Sequence, residues 1–227
     1  MTTTIKDDAS LPSIDDIPAP SVWLKSLCRR LAAVGIIVPV SLQLFRKSGT
    51  YTDIFQYHPI CMMLAFVMVL PDVVRDIKQL RQAHRRSPLK DRLPRHEIIM
   101  RHQLASFVME LAAAGGFAAV EYTKLKNHYP HLESLHGIVG TLCGLTIVCQ
   151  MVLGSILRYV LAPANPKRLI VRTVHKCVSV TIAVTAMMAM AGGFLATEYA
   201  ERMIPASLIR TAIVLTSVAT TVAGFLM

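Results

Sequence analysis

Eight histidines punctuate the chain, and four of them share one setting. His84, His96, His128 and His131 fall in polar connections, whereas His58, His102, His136 and His175 each stand about one turn inside the N-terminal end of an apolar segment. An ionisable group at membrane depth is costly and usually faces a bundle interior, where it carries function. One such imidazole could be a hydrogen-bonded core residue and nothing more. Four at similar depth, on four consecutive segments, point to ligand chemistry. Consecutive spanning helices run antiparallel, so His58 and His136 belong to one face of the membrane, and His102 and His175 to the other.

A zinc site wants three or four converging ligands, often with HxxxH spacing on one helix. Neither pair has that spacing or a cysteine at its own depth. Two imidazoles on neighbouring helices suit the two axial positions of a planar b-type haem. Filling both positions favours electron transfer over oxygen chemistry. The same imidazoles would also serve a transporter or channel for protons or metal, but the inverted halves, broken helices and acidic clusters of such proteins are missing. No GxGxxG is present, so the chain does not draw electrons from a nicotinamide by itself. A membrane subunit that carries haem for a partner reductase is a third reading.

The elements that must position these residues are legible from composition. The chain is 53% hydrophobic with mean hydropathy +0.49, yet its formal net charge is +10, so charge and apolar length are segregated. A bilayer core about 30 Å thick takes roughly 20 apolar helical residues to cross. Six segments qualify, near 22–46, 54–74, 98–120, 135–160, 174–196 and 206–227. These predict an all-α integral membrane fold of six transmembrane helices, with helices 2 to 5 as a four-helix haem-binding core. Residues 1–21, polar and acidic, read as a disordered cytoplasmic tail, and 22–227 as the six-helix domain; the first span then serves as the insertion signal. Cys28, Cys61, Cys143, Cys149 and Cys177 form no CxxC pair and read as small core residues.

Of the 24 lysines and arginines, 18 fall on one side if the N-terminus is cytoplasmic, which puts both termini inside. The basic stretch from Arg75 to Arg101 reads as topogenic and as a contact for anionic membrane lipid. Without aromatic interleaving it does not suggest nucleic acid. AGGFAAVEY (114–122) and AGGFLATEY (191–199) repeat near the ends of helices 3 and 5. Gly115, Gly116, Gly192 and Gly193 would permit close helix packing, or leave room for the flat face of a haem, or both. Glu110 could shuttle a proton but reads rather as a protonated, hydrogen-bonded carboxyl, and Gln150 as a helix-to-helix hydrogen bond or a contact to the haem edge.

YHPICMMLAF, RHQLASFVMELAA, HLESLHGIVG and VHKCVSV, in this order over helices 2 to 5, resemble the eukaryotic cytochrome b561 family of transmembrane electron carriers. The resemblance implies two b haems and transfer of electrons from cytosolic ascorbate to monodehydroascorbate or a ferric chelate on the opposite side, by a homodimer in an endomembrane or the plasma membrane. It assigns His58 with His136 to the non-cytoplasmic haem and His102 with His175 to the cytoplasmic one. Members that use ascorbate carry lysines three and seven residues before the helix 3 ligand. Here those places hold Ile99 and Arg95. Lys78, Arg81, Arg95, Arg101, Arg172 and Lys176 are the candidates to attract an anionic reductant to the cytoplasmic rim. His128 and His131 are candidates at the far rim.

Overall fold

The computed structural model describes residues 20–48, 53–75, 77–78 and 95–226. Among these residues seven helices follow in order: α1 (Pro20–Ser48), α2 (Ile54–Arg75), α3 (Arg95–Asn127), α4 (Leu135–Val160), α5 (Lys167–Leu195), α6 (Glu198–Met203) and α7 (Ser207–Leu226). All except the six-residue α6 are long and apolar enough to cross a membrane, and no strand occurs among the described residues. Helices satisfy their backbone internally, which a bilayer core without water requires. The expected tail lies outside the described residues except for Pro20 and Ser21, which open α1.

Two helices run past their expected ends. α3 continues to Asn127 rather than 120, and α5 begins at Lys167 rather than 174. Hydropathy marks where a helix leaves lipid, not where its hydrogen-bond ladder stops. Along α3 the ladder goes on through polar residues, with Thr123 Oγ1 donating to the Ala119 carbonyl at 2.9 Å and Asn127 Nδ2 to the Thr123 carbonyl at 2.8 Å. At α5 the Asn165 carboxamide accepts the Lys167 N–H at 2.9 Å.

Hydrogen bonds fix the directions. His58, early in α2, meets Gly116, late in α3, and His136, early in α4, meets Ala189, late in α5. Both pairs are therefore antiparallel. Arg29, early in α1, binds Asp72, late in α2, where Arg30 (3.1 Å) and Arg75 (3.0 Å) converge on the same carboxylate. Arg75 also donates to Ser26, and Lys78 to the Phe225 carbonyl. The start of α1, the end of α2 and the end of α7 thus share one end of the bundle.

One apolar cluster joins α1, α2 and α7 through Val40, Met63, Val67 and Ile213. A second lies inside α2 to α5, around Phe66, Met109, Cys143, Ile147 and Ile182. Cys28, Cys149 and Cys177 are exposed on the bundle exterior, against the expectation that all five cysteines pack inside; all five thiols are free. Lipid-facing surface is itself apolar, so a thiol does not have to be interior. Pro71 sits within α2, and its missing N–H and bulky ring disturb the preceding turn. The helix widens there into a π-helical turn over Leu64–Val69, and Thr221 Oγ1 of α7 donates to the Phe66 carbonyl at 3.3 Å.

Candidate functional site

His58 enters on the opening turn of α2, which Asp53 caps by accepting the Phe55 N–H at 3.2 Å. Pro59 follows it as the third residue of the α-helical part, which begins at Tyr57 after a 3-10 turn, where a helix loses no donor. His136 is the second residue of α4, capped by Ser134 Oγ accepting the Gly137 N–H at 3.1 Å. The two imidazoles face each other with ring centres 6.0 Å apart and planes at 84°. His58 Nδ1–H donates to the Gly116 carbonyl at 2.9 Å, and His136 Nδ1–H to the Ala189 carbonyl at 2.6 Å. A carbonyl only accepts, so the proton sits on Nδ1 in both rings and the Nε2 lone pair is left for a metal.

Beside this pair lies a cavity of about 520 Å³, with Phe66, Cys143 and Ala186 among its apolar lining. Its glycine wall differs from the one the repeat suggested: Gly137, Gly140 and Gly193 line it. Gly116 and Gly192 instead bring helices together, since an added Cβ would stand 3.2 Å from Cys61 Cβ at the first and 3.4 Å from His136 Cβ at the second. Gly115 is exposed, its nearest neighbour being Cys61 Sγ at 3.8 Å. Gly140 escaped the sequence reading, although its place four residues after His136 puts both on one helix face.

His102 and His175 form the second pair, with ring centres 6.4 Å apart and planes at 74°. Because α3 and α5 extend into water, these residues lie about two turns inside their helices rather than one. Gln150 Nε2 is 3.3 Å from His175 Nε2, so Gln150 makes a contact between α4 and α5. It follows His136 by 14 residues on α4, which sets the two pairs about 21 Å apart along the helix at 1.5 Å per residue. Glu110 is half-buried, but its carboxyl makes no hydrogen bond among the described residues, contrary to expectation.

At the rim near His102 and His175, Arg101 and Lys176 are exposed and Arg172 half-buried, each within one turn of a histidine. Lys78 is exposed but bonded to the end of α7. Arg81 and the Arg95 side chain lie outside the described residues. At the other rim His131 lines the cavity and stands 3.3 Å from Glu121, whereas exposed His128 does not line it.

No three His, Cys, Asp or Glu side chains converge as a metal cluster among the described residues. The eukaryotic cytochrome b561 profile matches residues 57–201, more than half of the chain, and takes in all four histidines of the two pairs. The chain belongs to the eukaryotic cytochrome b561 family. No curated protein matches it. As a cytochrome b561 it is a multi-pass membrane protein that binds b-type haem and moves electrons across the membrane.

The spacing of both pairs fits such a cofactor, and the first pair also has a cavity beside it. With metal to imidazole bonds of about 2.1 Å and a ring centre roughly 1.1 Å behind each nitrogen, two rings on one metal stand about 6.4 Å apart. The observed separations are 6.0 and 6.4 Å. An added Cβ at Gly140 would meet no protein atom within 4 Å. Gly140→Leu is therefore expected to leave the apoprotein fold intact while cutting haem content at the first pair several-fold. Gly115→Leu, on the exposed side of α3, should change neither; haem per chain by pyridine haemochrome assay checks both.

Proposed function

We propose that the chain passes electrons from cytosolic ascorbate to monodehydroascorbate or a ferric chelate on the opposite side, through two b haems. His102 and His175 hold the one near the cytoplasm, and His58 and His136 the other, with both termini cytoplasmic. The observation that carries this reading is one facing imidazole pair near each end of the same four-helix core. A haem held by each pair would supply a one-electron carrier at that level of the bundle.

The protein's own part is positional. Main-chain carbonyls hold His58 and His136 as Nδ1–H tautomers, so their Nε2 atoms are not protonated in competition with a metal. Arg101, Arg172 and Lys176, each within one turn of a histidine of the other pair along its helix, put positive charge on that rim and draw in an anionic reductant. An ascorbate anion gives up one electron and a proton there, and a ferric chelate accepts one electron at the far rim to become ferrous. With both histidines of a pair engaged as ligands, neither site would offer an open position to oxygen.

The test is the reduced-minus-oxidised spectrum of purified protein, followed by reduction across sealed vesicles. The expected result is low-spin b-type bands at about two haems per chain. Ascorbate on the His102 side should then reduce a ferric chelate trapped inside. Colourless folded protein, or reduction only when donor and acceptor share a compartment, would overturn the proposal.

A further inference from the structure

The mouth of the cavity beside His58 and His136 is lined by polar side chains, most of them engaged. Ser134 Oγ takes the Gly137 N–H, and Thr197 Oγ1 donates to the Gly193 carbonyl at 2.5 Å while accepting the Ala200 N–H. His131 is paired with Glu121. Two donors remain. The Tyr199 hydroxyl is buried with no partner among the described residues. The ammonium of Lys124, half-buried on the last turns of α3, makes no hydrogen bond or ion pair among them either, although the Lys124 carbonyl accepts the Tyr129 N–H.

Tyr199 is held rigidly. Its ring packs edge-on against Phe55 at 4.5 Å, and Phe55 lies 5.9 Å from the His58 ring. Burial, reinforced by Asp53 and opposed by Arg202, pushes its phenol up to about 12, so it stays protonated and acts as a donor. A buried donor without an acceptor is unfavourable, and its persistence calls for an acceptor that the polypeptide does not supply.

We infer that Tyr199 and Lys124 anchor the two propionate carboxylates of the haem held between His58 and His136. The porphyrin then lies with its propionate edge at the mouth and its apolar edge toward Phe66 and Cys143. One carboxylate meets a fixed neutral donor and the other a cation, both of which form charge-assisted hydrogen bonds. The inference rests on the assignment of that haem to His58 and His136.

The experiment uses the full chain carrying both haems, with Tyr199→Phe, which keeps the ring against Phe55, and Lys124→Gln, which removes the charge. A propionate freed of its donor or cation places more negative charge near the iron and favours the ferric state. Each variant is expected to lower the midpoint potential of one haem alone, and to speed its transfer to apomyoglobin several-fold. Should Tyr199→Phe not fold, Lys124→Gln carries the same test alone. Unchanged potentials and release rates would overturn the inference, and so would a raised KM for acceptor without any shift in potential. His136→Ala separates the two levels: if it removes no haem, the assignment to His58 and His136 is itself wrong.

Discussion

His102→Ala is expected to leave a folded protein with about half of the native haem and no electron entry from the cytoplasmic side. The ring that remains, His175, would have a partner position open, facing Gln150 across 3.3 Å. Loss of a partner hydrogen-bonded to a ligand costs a metal site about 10- to 100-fold in affinity, and loss of the ligand itself costs more. The other pair should be unaffected. It lies about 21 Å away along α4, and its rings are held by the Gly116 and Ala189 carbonyls, which His102 does not touch. The spectrum should keep the bands of one bis-imidazole haem, and the initial rate of reduction by ascorbate should fall by about a hundredfold or more. Full, rapid reduction of the variant would exclude the proposed path.

The largest effect on folding is expected at Gly224, far from either pair. α7 crosses α2 there so closely that an added Cβ would stand 2.8 Å from Pro71 Cα and 3.1 Å from its carbonyl oxygen. Neither atom is the end of a flexible side chain, and Pro71 is fully buried beside the π-helical turn of α2. Small residues in membrane helices allow backbone approach of this kind. Overpacking a dense core costs about 1–3 kcal/mol, and Gly224→Ala belongs near the top of that range because whole helices must part. Its melting temperature in detergent should fall by several degrees. Gly35→Ala on α1, where nothing lies within 4 Å, should leave it unchanged. Equal melting curves for the two variants would refute the close crossing of α2 and α7.

Much of the architecture was legible because the bilayer imposes a length scale on local sequence. The spans near 54–74 and 135–160 agree with α2 and α4 to within a residue, since both helices end where their apolar residues do. α3 and α5 were misjudged by seven residues at one end, because VEYTKLKN and KRLIVRT are helical but partly aqueous. The exposed cysteines were misjudged for a related reason: a bundle in lipid has an apolar outside, so hydrophobicity does not separate core from surface.

The site divides in the same way. From order and alternation alone, His58 had to meet His136 and His102 had to meet His175, because antiparallel helices of similar length leave no other partners at each level. Which side chains complete each pair depends on helix rotation and crossing distance, which no periodicity encodes to the ångström. Tyr199 illustrates this. The EY of the repeated motif was visible twice in the sequence, yet Tyr122 turns outward from α3 while Tyr199 is half-buried beside Phe55. The sequence by itself determined the six spans, their alternation and the pairing of the four histidines, because these follow from bilayer thickness and chain direction. Only the tertiary structure decided that Gly116 and Ala189 orient the first two rings and that Gly140 rather than Gly115 borders the cavity, because those contacts arise where separate helices touch.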